Sequence, residues 1–216
     1  MKDFKLGKPA LVCRWRLFNG ELPLQNRHLR ALSMRAIAGQ KVSPPLVAWV
    51  KQHLEWGLQT ASAEHPDGVL MLVVDEEGAS ALSLGPYLEL KKRTANDLLR
   101  RAREAREEAL KTGVAPEELW VCRGDCLVRS SSSEFASSGA SSLVVDLAHT
   151  MGMPVKRDED LLQKMSSKGL GDLGEEAFLV SDEHGVVPAS DRGGQRGQKF
   201  AQSYQKLLTR NWRRPR

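Results

Sequence analysis

The segment GVLMLVVD, residues 68–75, is a continuous apolar run of strand length, the pattern of a central strand with little exposure to water. A strand of that kind has to be covered, and amphipathic segments flank it. Upstream, Leu29, Leu32 and Ala36 recur at helical spacing over residues 25–38. Ser43 can then cap a second helix whose first turn takes Pro44 and whose apolar stripe is Leu46, Val50, Leu54 and Leu58. Downstream, ASALSLGPYLEL partly alternates and reads as a neighbouring strand. A long helix follows over residues 94–111, with Leu98, Ala102, Ala105 and Ala109 as its seam and Gly113 as its stop. The chain opens with a strand-like run, ALVCRWRLF, ended by the hairpin signal Asn19-Gly20.

The second half repeats the mixture without an internal repeat. EELWVCRGDCLVRSSSSEF reads as strand, Gly-Asp turn and strand, with Ser130–Ser133 as a flexible loop or a row of hydroxyls in a site, the low complexity favouring the loop. A helix is expected at residues 142–151, where Leu143, Val144, Leu147 and Ala148 share a face and Gly152 and Pro154 end it. LLQKMSSKGLGDLG is a partly helical connection, and EEAFLVSDEHGVVPAS is strand, turn and strand. Phe200, Tyr204 and Leu207 line a last helix. The fold class is therefore α/β (α+β), and 216 residues suffice for one or two domains.

Composition narrows the function classes. Hydrophobic residues at 41% and charged residues at 27% are ordinary for a soluble globular protein. No apolar run approaches the ~18 residues of a spanning helix, and MKDFKLGKPALVCRW lacks a signal-peptide core, so a cytoplasmic protein is expected. Cys13, Cys122 and Cys126 are too few and too odd for a disulfide framework. Cys122 and Cys126 could face each other across a hairpin, yet no further ligand stands nearby. His28, His53, His65, His149 and His184 share no ligand spacing either, so no metal site is expected. P-loop, dinucleotide and nucleophile-elbow motifs are absent, and RGGQRGQ reads as a turn.

The net charge of +5 is unevenly placed. The tail, residues 209–216, carries Arg210, Arg213, Arg214 and Arg216 around Trp212. It can be a solvated terminus or can bind a phosphate backbone or an acidic partner. Arg100, Arg101, Arg103, Arg106 and Lys111 are expected on the solvated face of the long helix, diluted by Glu104, Glu107 and Glu108.

One further feature calls for chemistry. Lys91 and Lys92 stand where an apolar run meets the long helix, a place either for a solvated strand end or for a reactive amine. Four collinear stretches resemble the class IV aminotransferases, the pyridoxal-phosphate proteins that include branched-chain and D-amino-acid aminotransferases and aminodeoxychorismate lyase. They are NGELPLQNRHLRALSMRA, LKKRTANDLLRRAREAREEALKTGVAPEELWV, LVRSSSSEF, and LVVDLAHTMGMPVKRDEDLL with EEAFLVSDEHGVVPAS. The resemblance spans nearly the whole chain.

It implies two α/β lobes, residues 1–88 and 89–216, with mixed sheets and flanking helices, a cofactor between them and usually a homodimer. It also implies an imine-forming lysine, Lys92, four residues before Asn96, with Lys91 as the alternative register. A helix N-terminus beside that lysine would favour the neutral nucleophile. Other family contacts are altered. The phosphate-holding arginine, three residues after the histidine, is Ala31 here, with Arg30 adjacent. The glutamate that pairs with the pyridine nitrogen falls on Arg129, whose charge opposes that role. The phosphate-binding loop is shortened to ASSGASS, and the hydroxyl-rich turn becomes Ser181-Asp182-Glu183-His184, whose carboxylates would repel a phosphate.

Three readings follow. In the first, the fold is kept without pyridoxal phosphate, as an interaction or scaffold subunit with a protein partner or a second copy. In the second, the protein is an aminotransferase or lyase acting on an amino-acid-like substrate, with pyridoxal phosphate on Lys92, Arg30 on its phosphate, and Ser131, Ser132 and Ser181 adding hydroxyl contacts. In the third, the arginine tail binds nucleic acid.

Overall fold

The computed structural model describes residues 5–168 and 174–209. The first half contains β1 (Pro9–Arg16), α1 (Gln25–Ser33), the small hairpin β2 (Ala36–Ile37) and β3 (Gln40–Lys41), α2 (Pro44–Ala61), β4 (Val69–Asp75) and β5 (Ser80–Gly85). The second contains α3 (Ala95–Thr112), β6 (Glu118–Arg123), β7 (Cys126–Arg129), α4 (Gly139–Thr150), β8 (Val155–Arg157), α5 (Leu161–Lys168), β9 (Glu176–Ser181), β10 (Gly185–Pro188) and α6 (Gly194–Leu208).

β4 is the central strand of an antiparallel sheet ordered β1-β4-β5. Leu70, Leu72 and Val74 point to one face, where Val50, Leu54 and Leu58 of α2 and Leu29 and Leu32 of α1 cover them. Met71 and Val73 point to the other, onto Val12, Ala109, Val114 and Phe135. The apolar run of residues 68–75 is thus covered on both faces, the second largely by residues from the other half of the chain. A five-stranded sheet, β10-β9-β6-β7-β8, is antiparallel except where β7 meets β8. α3 and α5 cover one of its faces. The other is covered by α4 and α6, with the rings of Trp120, Phe178 and Phe200 in a stacked row.

Several expectations are corrected. α1 stops at Ser33 rather than at Ala38, because Ala38 and Gly39 both take positive φ and fold residues 36–41 into a hairpin. β5 ends at Gly85, just before Pro86, which has no N–H to give a sheet. Asn19 and Gly20 do form a tight turn, bridging Phe18 and Glu21, but β1 pairs with β4 and not with the segment after the turn. Cys122 is opposite Leu127, and Cys126 opposite Arg123, so the two thiols lie on different faces of the sheet. No helix among the described residues is long and apolar enough to cross a membrane.

α3 is capped at its start by a reciprocal pair, Thr94 and Asp97, and at its end by Gly113 at φ 64°. Gly113 also accepts a hydrogen bond from the Val12 N–H, 3.2 Å away, which ties β1 to the α3–β6 connection. A Cβ here would lie 1.9 Å from the Ala10 carbonyl oxygen. Gly113→Ala therefore combines backbone strain with a backbone clash, and its urea midpoint should fall by the equivalent of roughly 2 kcal/mol or more.

Candidate functional site

Three segments far apart in sequence meet on one carboxylate. α4 begins where Ser138, in extended conformation, accepts a hydrogen bond from the Ser141 N–H. The free N–H groups of the first turn, at Gly139 and Ala140, both donate to Asp182 of the β9–β10 turn, at 3.3 and 2.7 Å. From α1, His28 presents Nδ1 3.5 Å from the same carboxylate, with only 2% of its side chain exposed. That distance is electrostatic contact rather than a good hydrogen bond. The approach is close enough to require glycine, since a Cβ on Gly139 would lie 2.7 Å from His28 Nδ1. Burial alone would raise the Asp182 carboxyl. His28 and the two N–H groups outweigh it and hold the pKa below the usual carboxylate range. The positive end of α4 is thus an anion cradle, and a side chain of this chain fills it.

The same turn builds a second cluster. Ser181 Oγ accepts from the His184 N–H at 2.9 Å and fixes the turn. Arg101 of α3 grips Glu117 through Nε and Nη2 at 2.6 and 2.7 Å, and Nη2 also lies 2.8 Å from His184 Nε2. His184 Nε2 accepts from that guanidinium, and Nδ1 stands 3.3 Å from the Tyr87 hydroxyl. Burial first, then Arg101, Arg16 and Arg14, push the His184 pKa down to about 3, so the ring is neutral at ordinary pH. Burial raises the Glu117 carboxyl, opposed by Arg101. Glu117, Glu183 and His184 bring one ligand atom each within 4.8 Å of the others, a metal-like grouping. The cation among them is the Arg101 guanidinium, which satisfies two of the three groups. Sequence spacing held no sign of this cluster, since Arg101 meets partners 16 and 83 residues away.

The residues singled out from sequence fall in different places. Lys91 and Lys92 are exposed in the segment before α3 and do not line the cleft described below. That segment docks on residues 190–191: Ser190 N–H donates to the Arg93 carbonyl, and Ala95 N–H to Asp191. The cleft described below is lined by Gly113 at the far end of α3, about 27 Å away for 18 residues. The helix start beside Lys92 carries the Asp97 carboxylate in its cap, and that carboxylate counters the positive potential expected there.

Arg129 faces α4, with Nη1 3.0 Å from Ser137 Oγ, 3.6 Å from Glu118 and its guanidinium over Trp120. Ser131 is buried, Ser132 Oγ accepts from the Glu134 N–H, and Ser181 holds its own turn. On α3, Arg101 and Arg106 turn inward, Arg106 onto the Ser130 and Glu159 carbonyls, and so leave the expected solvated face. Arg210, Arg213, Arg214 and Arg216 lie outside the described residues.

Arg30 lines a cleft of about 640 Å³ between α1, residues 113–116 and residues 133–137. Arg27, Arg30, Ala31 and Met34 line it at i, i+3, i+4 and i+7 of one helical stripe, the side of α1 turned from its core residues His28, Leu29 and Leu32.

No protein-family model matches the sequence, and no curated protein matches it. Solved structures do. A hypothetical aminotransferase from Mycobacterium tuberculosis, in a form bound to alpha-ketoglutarate and PMP, superposes with a TM-score of 0.61 at 14% identity, over 96% of this chain and 95% of that one. A fold IV transaminase from Curtobacterium pusillum gives 0.58 at 16% identity, over 94% and 84%. The T.th. branched-chain amino acid aminotransferase, complexed with N-(5'-phosphopyridoxyl)-L-glutamate, gives 0.55 at 12% identity, over 99% and 91%. The fold is that of the class IV aminotransferases. Within the class IV fold, the segments that the sequence resemblance linked to the cofactor phosphate are the α1 histidine region, the start of α4 and the β9–β10 turn. These are the three segments that meet on Asp182.

Proposed function

We propose that this chain keeps the class IV fold, as two lobes of residues 1–88 and 89–216, without running pyridoxal-phosphate chemistry, and that it serves as an interaction or scaffold subunit. The observation that carries this reading is the Asp182 carboxylate on the Gly139 and Ala140 N–H groups. A phosphate entering there would displace a buried, hydrogen-bonded anion or sit against it, and like charges at such a distance repel strongly in a dry site. The residues present do not fit the cofactor at that point. Two further placements support the reading. Arg129, which the resemblance sets in the place of the carboxylate that pairs with a pyridine nitrogen, is held near Glu118 and Ser137, and Lys92 is exposed at the opposite end of α3 from the cleft.

Support for a partner comes from α2. Trp49 and His53 pack ring on ring at 4.1 Å, and Trp56 continues the same stripe with 77% of its surface exposed. Aromatic side chains of this kind anchor protein interfaces.

The test is borohydride reduction in the presence of millimolar pyridoxal phosphate, followed by peptide mapping. No specific adduct on Lys91 or Lys92 above the level of other exposed lysines is expected. A stoichiometric adduct on Lys92, lost in Lys92→Ala, would overturn the proposal.

A further inference from the structure

We infer that the outer edge of β5 is a docking site for an extended strand of a partner protein, apolar at alternate positions and basic at its ends. β5 closes the sheet β1-β4-β5 on one side, and among the described residues no strand pairs with it beyond β4. Its register fixes which groups are left over. The Asp75 N–H donates to the Ala79 carbonyl at 3.0 Å, so the alternation of an antiparallel ladder turns Ala81, Ser83 and Gly85 toward β4. The N–H and C=O groups of Ser80, Leu82 and Leu84 therefore point outward, and none of them has a backbone partner among the described residues. Edges of this kind are ordinarily blunted by a charged side chain, a proline or a bulge. Ser80–Gly85 carries none of the three.

The side chains are as unfinished as the backbone. Leu82 and Leu84 pack against the core of the first half, yet both are only partly covered, as is Trp49 of the same cluster. On the opposite face Ser83 is exposed. An added strand would continue the ladder and lay its own apolar residues beside Leu82 and Leu84. Charge selects the occupant. The turn before β5 carries Asp75, Glu76 and Glu77 against Lys8. At the far end the turn of residues 65–68 sits against Gly85, and Glu64 and Asp67 stand there against Arg16. Both ends are net negative. A second copy paired antiparallel would set one acidic end against the other, whereas basic residues at the ends of a partner strand match both. Area points the same way. Six residues span about 20 Å, and an edge one sheet thick offers roughly 200 Å² per chain, well short of the roughly 800 Å² that each partner of a stable dimer buries. A peptide strand draws instead on main-chain hydrogen bonds. This names a partner class for the interaction reading above and rests on it.

The test is titration of the full chain with an end-blocked peptide of alternating threonine and valine with a lysine at each end, followed through the backbone amides by NMR. The amides of Ser80, Leu82 and Leu84 should shift and should exchange more slowly with solvent as the peptide binds. The same peptide with every backbone nitrogen methylated should not bind, and a version with glutamate ends should bind roughly tenfold more weakly. Ser80→Pro removes one outward donor at the first position of the strand, where proline is tolerated. It should weaken binding roughly fivefold to tenfold, about one hydrogen bond, with its urea midpoint at that of the parent. Unchanged amides at millimolar peptide, equal binding of the methylated peptide, equal or tighter binding of the glutamate-ended one, or equal binding by Ser80→Pro would overturn the inference. So would a concentration-dependent dimer of the parent that Ser80→Pro dissolves, because it would place a second copy on the edge. A lysine adduct with pyridoxal phosphate would end the reading of the preceding subsection without touching the amide shifts, and silent amides without an adduct would end this inference alone.

Discussion

Replacing Asp182 with alanine should lower stability by about 3 kcal/mol, the order expected for removing a buried carboxylate and leaving its backbone N–H donors unsatisfied. Two N–H donors at the head of α4 lose their acceptor, and His28 is left facing the positive end of a helix. For a chain of this size the melting temperature would drop by roughly 6–12 °C. The variant carries a second, more diagnostic expectation. With the carboxylate gone, the cradle is open, and inorganic phosphate or sulfate should raise the variant's melting temperature by mass action while leaving the parent's almost unchanged. Equal salt responses in the two proteins, or a variant as stable as the parent, would show that Asp182 is not the anion of that site. Acid should do the same damage as the substitution. Because the Asp182 pKa is held below its ordinary value, its contribution is present above about pH 3.9 and is lost as pH falls through the lower folded value.

The legibility of this chain follows the range of its interactions. The helices at α2 and α3 could be read closely because their determinants are local: Ser43 and Pro44 at one start, Thr94 at the other, and Gly113 at a stop. The resemblance carried the fold, because collinear order survives where identity has fallen to 14%. The altered residues at Ala31, Arg129 and the Ser181–His184 turn were equally visible as departures.

Sequence could not show where the departures meet. The acidic turn was legible as something that would repel a phosphate, but not as the anion that takes the phosphate's place on α4. That required knowing that residues 28, 139, 140 and 182 share one point. Arg101 was read as a solvated helix residue because heptad position alone is blind to Glu117 and His184, which reach it from a strand start and a turn. The end of α1 was missed for a different reason: Ala36 fits a helical stripe, while the positive φ at Ala38, which is not a glycine, has no sequence signal.

The buried histidine gives the other large effect. His184 has a pKa pushed down to about 3 in the folded chain, against an ordinary value near 6.5. Between those values the unfolded chain binds a proton that the folded chain refuses, so stability falls as pH falls across that window and is fully present above it. By pH 5 the loss should be about 2 kcal/mol, from roughly 1.5 pH units at 1.36 kcal/mol each. Glu117, whose carboxyl is raised by burial, acts with the opposite sign from its raised folded value down to the ordinary carboxylate value, where its folded form holds a proton that the unfolded form releases. Glu117 is common to the parent and to a His184 variant, so the interval from pH 7 to 5 is read as a difference between the two. His184→Gln keeps an acceptor for the Arg101 guanidinium and removes the titrating ring. Urea unfolding of the parent should therefore show a falling midpoint from pH 7 to 5, while the variant's midpoint falls about 2 kcal/mol less. The remaining histidines are common to both proteins, so the difference between the two curves isolates His184. Parallel curves would mean that the ring is charged in the folded chain, and that Arg101 is not bonded to its Nε2.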